Sequence, residues 1–384
     1  MKKICIVIGS RANYSSIKSV MDNIKKRKKL NLQLILNTSS LLYKYGNVSH
    51  LIEKDGFEIN EKIYNLIEGE SLLTMAKSTG LGLIEVSTAF DRLKPDIVLT
   101  VGDRFETMAT VLAASYMNIP LAHTMGGEIS GTIDESIRHA VTKLSHIHFP
   151  ANKKAAEVIR KLGEDKDKIF NVGCPRIDLV RKIIKDKTII LKNNIFNLGV
   201  GDKLDLKKPF LIISQHPVTT EFYDAEQQMK TTLESVSKID IQVIVLWPNA
   251  DAGSAYISKA IRSFREKNNR SAIHFFKNLP IEIYIKLLDK TKCLVGNSSS
   301  GIREGNYIGV PCVNIGSRQN GRDRGLNVID VDYDSLKITK AIRKQIKISK
   351  YKSENLYGDG TAGKKITDIL SSELDIKVQK TLEF

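Results

Sequence analysis

Short, continuous apolar runs alternate with helix-period stretches along almost the whole of this chain, and that rhythm restricts what it can fold into. The runs ICIVIG (4–9), LQLILNT (32–38), DIVLTVG (96–102), IPLAHT (119–124), HIHFP (146–150) and IFNVG (169–173) form a first series. A second comprises FLIIS (210–214), QVIVLW (242–247), AIHFF (272–276), CLVGN (293–297), CVNIG (312–316) and VIDV (328–331). Between them, residues 15–29 put Ile17, Val20, Met21 and Ile24 on one helical face, and 104–118 is another such stretch. Strands that are apolar throughout are buried on both faces, and helical connections between them imply parallel order. The expectation is an α/β chain of GT-B-like layout: two Rossmann-like, doubly wound domains whose parallel sheets face a central cleft. The series break near 174–208, so the expected boundaries are 1–172 and 173–362. Residues 363–384 read as a final helix packing back on the first domain.

At 384 residues each domain can bury its own core. Apolar content of 42% and charged content of 27% suit a soluble protein. The apolar run at the N-terminus ends at Gly9, which suits a first strand better than a signal segment. No run approaches the roughly 20 apolar residues that span a bilayer. Cys5, Cys174, Cys293 and Cys312 sit in or beside apolar runs without CxxC spacing and read as buried reduced thiols. These features predict a cytoplasmic protein. The net charge of +16 comes from scattered lysines, as in KKRKK (25–29), without interleaved aromatics. That pattern argues against nucleic acid and for attraction of an anionic small molecule. With no HExxH, Cys/His cluster or EF-hand loop, no protein-bound metal or cofactor is expected.

In open α/β sheets, ligands bind beyond the carboxyl ends of the strands. The polar residues at those positions are Ser10, Arg11 and Asn13; Asp103 and Arg104; Gln215 and His216; Asn249; and Asn297 to Ser300. The stretch HTMGGEISGTIDESIRHAV (123–141) joins them, with Glu128, Asp134, Glu135, Arg138 and His139 close together. One reading makes Asp134–Arg138 and Glu135–His139 helical i,i+4 pairs behind a capping box from Thr132 to Glu135. The other makes the stretch the mouth of an active site. GNSSSGIREGNYIGVP (296–311) offers small residues, hydroxyls and backbone N–H groups to a phosphate, with Glu304 one turn on for ribose hydroxyls; an ordinary capped helix is the alternative.

Taken together, GSRANYSS, RLKPDIVLTVGDRFET, GGEISGTIDESIRHAVTKLSH, VGCPRID, SQHPVTTEF, WPNADAGS, GNSSSGIRE and GSRQNGRDRGLNVI resemble the hydrolysing nucleotide-sugar 2-epimerases. That resemblance runs in order through most of the chain. It implies a reaction in which NDP leaves C1 of a UDP- or GDP-linked 2-acetamido sugar while the C2 proton is removed. Water then adds with C2 inverted, releasing the free manno-configured sugar for sialic or legionaminic acid synthesis. It implies Asp103 and Asp134 as catalytic carboxylates, with Glu128 and His216 assisting. Arg11, Ser15, Arg104, Asn249, Ser298, Ser299, Glu304 and Arg318 become nucleotide and phosphate contacts. A homodimer follows from the same resemblance.

Two positions depart from the pattern. Met125 stands where many relatives carry a glutamate beside the Gly-Gly pair, and Ser40 where a histidine is common. Methionine cannot carry a proton, so either Glu128 takes over, or Asp103 and Asp134 suffice, or the substrate differs. With the other motifs intact, an altered substrate or role distribution is the favoured reading. A less polar sugar pocket would favour N,N′-diacetylbacillosamine over N-acetylglucosamine. The competing readings are an N-acetylglucosamine 2-epimerase of either type, a GT-B glycosyltransferase and a silent nucleotide-sugar binder.

Overall fold

The computed structural model describes every residue except 70, 250, 268–271, 278 and 384, so Ala250 of WPNADAGS lies outside the described residues. The chain forms two compact units, one of 1–129, 133–179 and 357–384, the other of 130–132 and 180–356. The divisions therefore fall at 179/180 and 356/357, where the sequence suggested 172/173 and 362/363.

The first unit has six strands: β1 Lys2–Ile8, β2 Leu30–Asn37, β3 Glu61–Ile63, β4 Ile97–Val101, β5 Leu121–Thr124 and β6 Ile147–Phe149. They lie in the order β3-β2-β1-β4-β5-β6, every pair parallel. Strand order reverses between β1 and β4, so the chain after Ile8 and the chain after Val101 emerge side by side. Asn13 ties them: its carboxamide oxygen accepts from Gly9 N at 3.2 Å and its Nδ2 donates to Val101 O at 3.2 Å. Cys5, Ile35, Val98 and Leu121 pack beneath Val86, Phe90 and Val111 of the covering helices. The first helix, Arg11–Lys25, starts earlier than its apolar stripe suggested because the Ser10 side chain caps Asn13 N.

IFNVG (169–173) is not a strand. Ile169 makes a single bridge to His148, and Gly173, at φ +92°, turns the chain so that Cys174 N reaches Tyr357 O at 2.8 Å. β3 was missed because EKI is short and largely polar. The last helix, Ala362–Ser371, lies on the first: a side chain at Gly363 would strike Ser19, and Asp178 accepts from the Ala362 and Gly363 amides at 3.0 and 2.6 Å.

The second unit has β7 Val200–Gly201, β8 Phe210–Ser214, β9 Gln242–Leu246, β10 Ile273–Phe276, β11 Cys293–Gly296, β12 Cys312–Ile315 and β13 Val328–Val331. Their order is β13-β12-β11-β8-β9-β10-β7, parallel but for β7, which runs antiparallel to β10. β7 was not anticipated, its two residues carrying no periodic signal. The reversal falls between β8 and β11, which brings Gln215–His216 beside Asn297–Ser298. Residues 130–132 belong here because Gly131 N donates to Arg318 O at 3.2 Å; a Cβ on Gly131 would lie 2.0 Å from Ser317 O.

All four cysteines are free and buried, and burial pushes the thiols of Cys5 and Cys293 up and that of Cys312 to about 12. Among the described residues, no helix is long and apolar enough to cross a membrane.

A buried ionic cluster closes the first unit opposite the strand ends. Glu164 accepts from Lys143 at 2.6 Å, His148 Nε2 at 3.1 Å and Lys380. Lys380 also donates to Ser145 O at 2.6 Å, which fastens the C-terminal segment to the end of the helix Asp134–Leu144. Burial opposes the charge on Glu164, but these three donors hold its carboxyl down at about 2, against an ordinary 4.5. A carboxyl depressed in the folded state stabilises above its unfolded pKa, and that stability is lost as pH falls through the folded value. Glu164→Gln is therefore expected to cost roughly 3 kcal/mol at pH 7. The gap from wild type should narrow between about pH 4.5 and pH 2, as read by urea denaturation.

Candidate active site

In the first unit the site is organised by Arg138, whose side chain is 1% exposed. It reaches the loop after β4, where Asp103 Oδ2 accepts from Nε at 2.7 Å and from Nη2, while Nη1 donates to Glu128 O. Desolvation works against the guanidinium, yet the fields of Asp103, Glu128 and Asp134 outweigh it and raise its pKa. One buried cation thus gathers three acidic residues. Asp103 is 22% exposed on its side chain, open enough to meet a substrate.

Asp134 opens the helix Asp134–Leu144, where its charge also favours the helix N-terminus. The residue at the cap position is Ile133, which has no side-chain oxygen to offer the first turn. The i,i+4 neighbours are joined by a longer-range partner. Glu135 stands 3.5 Å from His139, and Arg138, besides feeling the field of Asp134 on its own helix, reaches the Asp103 carboxylate on the loop after β4.

The Gly-Gly turn is tight. Gly127, at φ +76°, lies where a Cβ would be 2.2 Å from Ala155 O. Met125 takes a left-handed backbone at φ 62°, is 5% exposed, and receives the Cys174 thiol on its sulfur at 3.4 Å. Ser40 is fully buried, its hydroxyl donating to Asn37 O at 2.6 Å. Both side chains are buried, as is Glu128. Glu128 is 4% exposed and Arg104 Nε lies 3.1 Å from buried Glu106. Arg11 is the first residue of its helix, and its carbonyl accepts from Ser15 Oγ at 3.0 Å.

In the second unit the hub is Asn297, fully buried after β11. Its Oδ1 accepts from His216 N at 2.7 Å and its Nδ2 donates to His216 O at 2.8 Å, clamping the loop after β8. Its own carbonyl accepts from Gln319 at 2.8 Å and Arg318 Nη1 at 3.4 Å. Asn249 N donates to His216 Nδ1 at 3.3 Å, which makes Nδ1 an acceptor and puts the proton of a neutral ring on Nε2. His216, Asn249, Asn297 and Arg318 are therefore brought together.

The serine loop differs from its expected role. The amides of Asn297 and Ser298 donate to Ser214 O, Ser300 N to Ser298 Oγ, and Gly301 N to Ser298 O. The loop closes on itself, and Gly296, at φ +128°, lies where a Cβ would be 2.3 Å from Ser214 O. The backbone amides named are thus engaged within the loop, and the Ser298 and Ser299 hydroxyls and Arg318 are the groups left to offer an anion in the role expected of them. Glu304 is 2% exposed at the start of the following short helix.

The match to known proteins agrees with this geometry. Residues 22–371 fit the UDP-N-acetylglucosamine 2-epimerase family. The chain belongs to that family. It is 33% identical over 372 residues to the UDP-N,N′-diacetylbacillosamine 2-epimerase (hydrolyzing) of Legionella pneumophila, covering 97% of this chain and 96% of that one. It is 34% identical to the GDP/UDP-N,N′-diacetylbacillosamine 2-epimerase (hydrolyzing) of Campylobacter jejuni, covering 87% and 85%. The crystal structure of the Neisseria meningitidis UDP-GlcNAc 2-epimerase bound to UDP-GlcNAc superposes with a TM-score of 0.80 at 17% identity, covering 96% of this chain and 99% of that one. That likeness shows the fold, which is GT-B-like. This epimerase is an enzyme of the hydrolysing type.

From the sequence, Arg138 was a helical partner of Asp134 or part of a site mouth, and Asn297 one of several polar strand-end residues; only their partners reveal what they hold. Arg138→Lys cannot span Asp103 and Glu128 O together, and turnover should fall about 100-fold while the fold persists by circular dichroism. Asn297→Asp sets a carboxylate against His216 O and should weaken UDP binding about tenfold in calorimetric titration.

Proposed function

We propose that this epimerase releases the free manno-configured sugar from UDP- or GDP-linked N,N′-diacetylbacillosamine, supplying nonulosonic acid synthesis in the cytoplasm. The observation that carries the chemistry is the convergence of Asp103, Glu128 and Asp134 on buried Arg138. The two relatives named for diacetylbacillosamine support the sugar. A C2 hydrogen is scarcely acidic, so departure of the diphosphate must first build oxocarbenium character at C1. Carboxylates stabilise that cation, as in glycosidases, and one of them takes the C2 proton to leave a 2-acetamidoglycal.

Asp103, kept anionic by Arg138, and Asp134 are the pair we assign to proton removal and return, with Glu128 assisting. Water adds at C1 as the opposite face of C2 is protonated. His216, through Nε2–H, supports the leaving diphosphate with Arg11, Arg318 and the Ser298 and Ser299 hydroxyls. Ser15, Arg104, Asn249 and Glu304 complete the assigned nucleotide contacts.

An exposed apolar face supports a homodimer. On the helix Leu72–Leu93, Leu73, Leu81 and Ile84 are 63%, 42% and 63% exposed. Leu73→Asp with Ile84→Asp should convert a dimer to monomers in sedimentation velocity.

The decisive experiment is NMR of each nucleotide sugar in D2O without an acceptor. Deuterium at C2 of a free manno-configured sugar is expected, with UDP- or GDP-linked diacetylbacillosamine turned over well above UDP-N-acetylglucosamine. Equal or reversed preference removes the sugar assignment. Product still attached to its nucleotide would instead mark a non-hydrolysing epimerase. Asp103→Asn and Asp134→Asn should each abolish product while UDP still binds.

A further inference from the structure

His123, at the carboxyl end of β5, is fully buried and has no part in the chemistry above. Its Nε2 lies 3.3 Å from Gly102 O, the carbonyl immediately before Asp103. Its Nδ1 lies 3.3 Å from Thr142 Oγ1, and that hydroxyl is 3.0 Å from Arg138 O. A carbonyl only accepts, so Nε2 carries the proton and Nδ1 of the neutral ring accepts from Thr142. The third face of the ring supports the Gly-Gly turn: a Cβ on Gly126 would lie 2.7 Å from His123 Nδ1 and 3.0 Å from Thr142 Oγ1.

These contacts close a circuit. Asp103 and Arg138 are joined directly through their side chains, and their elements a second time by way of Gly102 O, His123 and Thr142, which stands one turn beyond Arg138 on the same helix. The single Thr142 proton serves His123 Nδ1 or the Arg138 carbonyl, not both at once. A guanidinium–carboxylate pair alone could rotate; with both backbones braced, it has one geometry. We infer that His123 is a positioning residue, holding the Asp103 loop, the Gly-Gly turn and the Arg138 helix in the register that aims the carboxylates.

The ring acts as a fixed neutral brace. Burial, with a smaller contribution from the neighbouring His148, pushes it down to about 3, while the Gly102 carbonyl and Asp103 pull the other way and Arg138 adds to the depression. It therefore stays uncharged wherever the enzyme works.

Three variants test this. His123→Gln retains a donor toward Gly102 O, His123→Leu retains none, and Thr142→Val removes only the relay hydroxyl. The activity arm rests on the proposed substrate, UDP-N,N′-diacetylbacillosamine. There, His123→Leu should lower kcat about 30-fold with KM changed less than about threefold, and should enlarge the isotope effect of C2-deuterated substrate as proton removal becomes slower. His123→Gln should recover to within about fivefold of wild type, with Thr142→Val between the two.

The second arm is independent of substrate. Hydrogen exchange of the unliganded protein should quicken at 102–104 and 126–128 in His123→Leu and in Thr142→Val, but not in His123→Gln. Wild-type kcat in His123→Leu, equal impairment of Leu and Gln, or exchange quickened evenly across the first unit would overturn the inference. An inactive wild type would discard the substrate and leave exchange to decide. If His123→Leu does not fold, Thr142→Val and His123→Gln decide by the same two readings.

Discussion

Everything in the first unit's site follows from burying one guanidinium. An arginine removed from water is unfavourable unless its donors are matched, and a partner lost from such a pair leaves an uncompensated charge. Arg138 meets that requirement with the Asp103 carboxylate and the Glu128 carbonyl, so the loop after β4 and the turn after β5 are fixed to one helix. The same interaction sets the chemistry. Asp103 gains a neighbouring cation that favours its anionic form, the state required by the role as base that we propose for it.

Both units solve the same problem at the point where strand order reverses. Two loops leave adjacent strands there with backbone groups unpaired, in the place where a ligand must approach. An asparagine joins them in each. Asn13 accepts from Gly9 and donates to Val101 O, and Asn297 accepts from and donates to His216. A side-chain amide suits the position because it is both donor and acceptor and carries no charge that would compete with a diphosphate. In the second unit the amide also leaves His216 oriented, since Asn249 N holds Nδ1 and turns the protonated nitrogen outward.

Much of this was legible in the chain. Continuous apolar runs revealed eleven of the thirteen strands, because burial on both faces leaves an unbroken signature. The two missed strands are edges of three and two residues, too short to show a period. IFNVG misled because an apolar run of that length also suits a segment that merely crosses the core before Gly173 turns it. Asp103 and His216 were singled out because strand ends are where open sheets bind ligands. Met125 and Ser40 show a different limit: position in a motif says nothing about burial, and here both side chains are buried.

The sequence by itself determined two doubly wound units and the residues at their carboxyl edges, since these follow from local apolar patterning and from the rule linking strand ends to ligands. Tertiary structure alone decided the partners. Arg138 lies one helical turn from Asp134 and 35 positions from Asp103, yet Nε and Nη2 both donate to Asp103 Oδ2. Asn297 clamps a histidine 81 positions away. Such choices depend on which donors lose their water when the sheets are covered, and sequence separation carries no information about that.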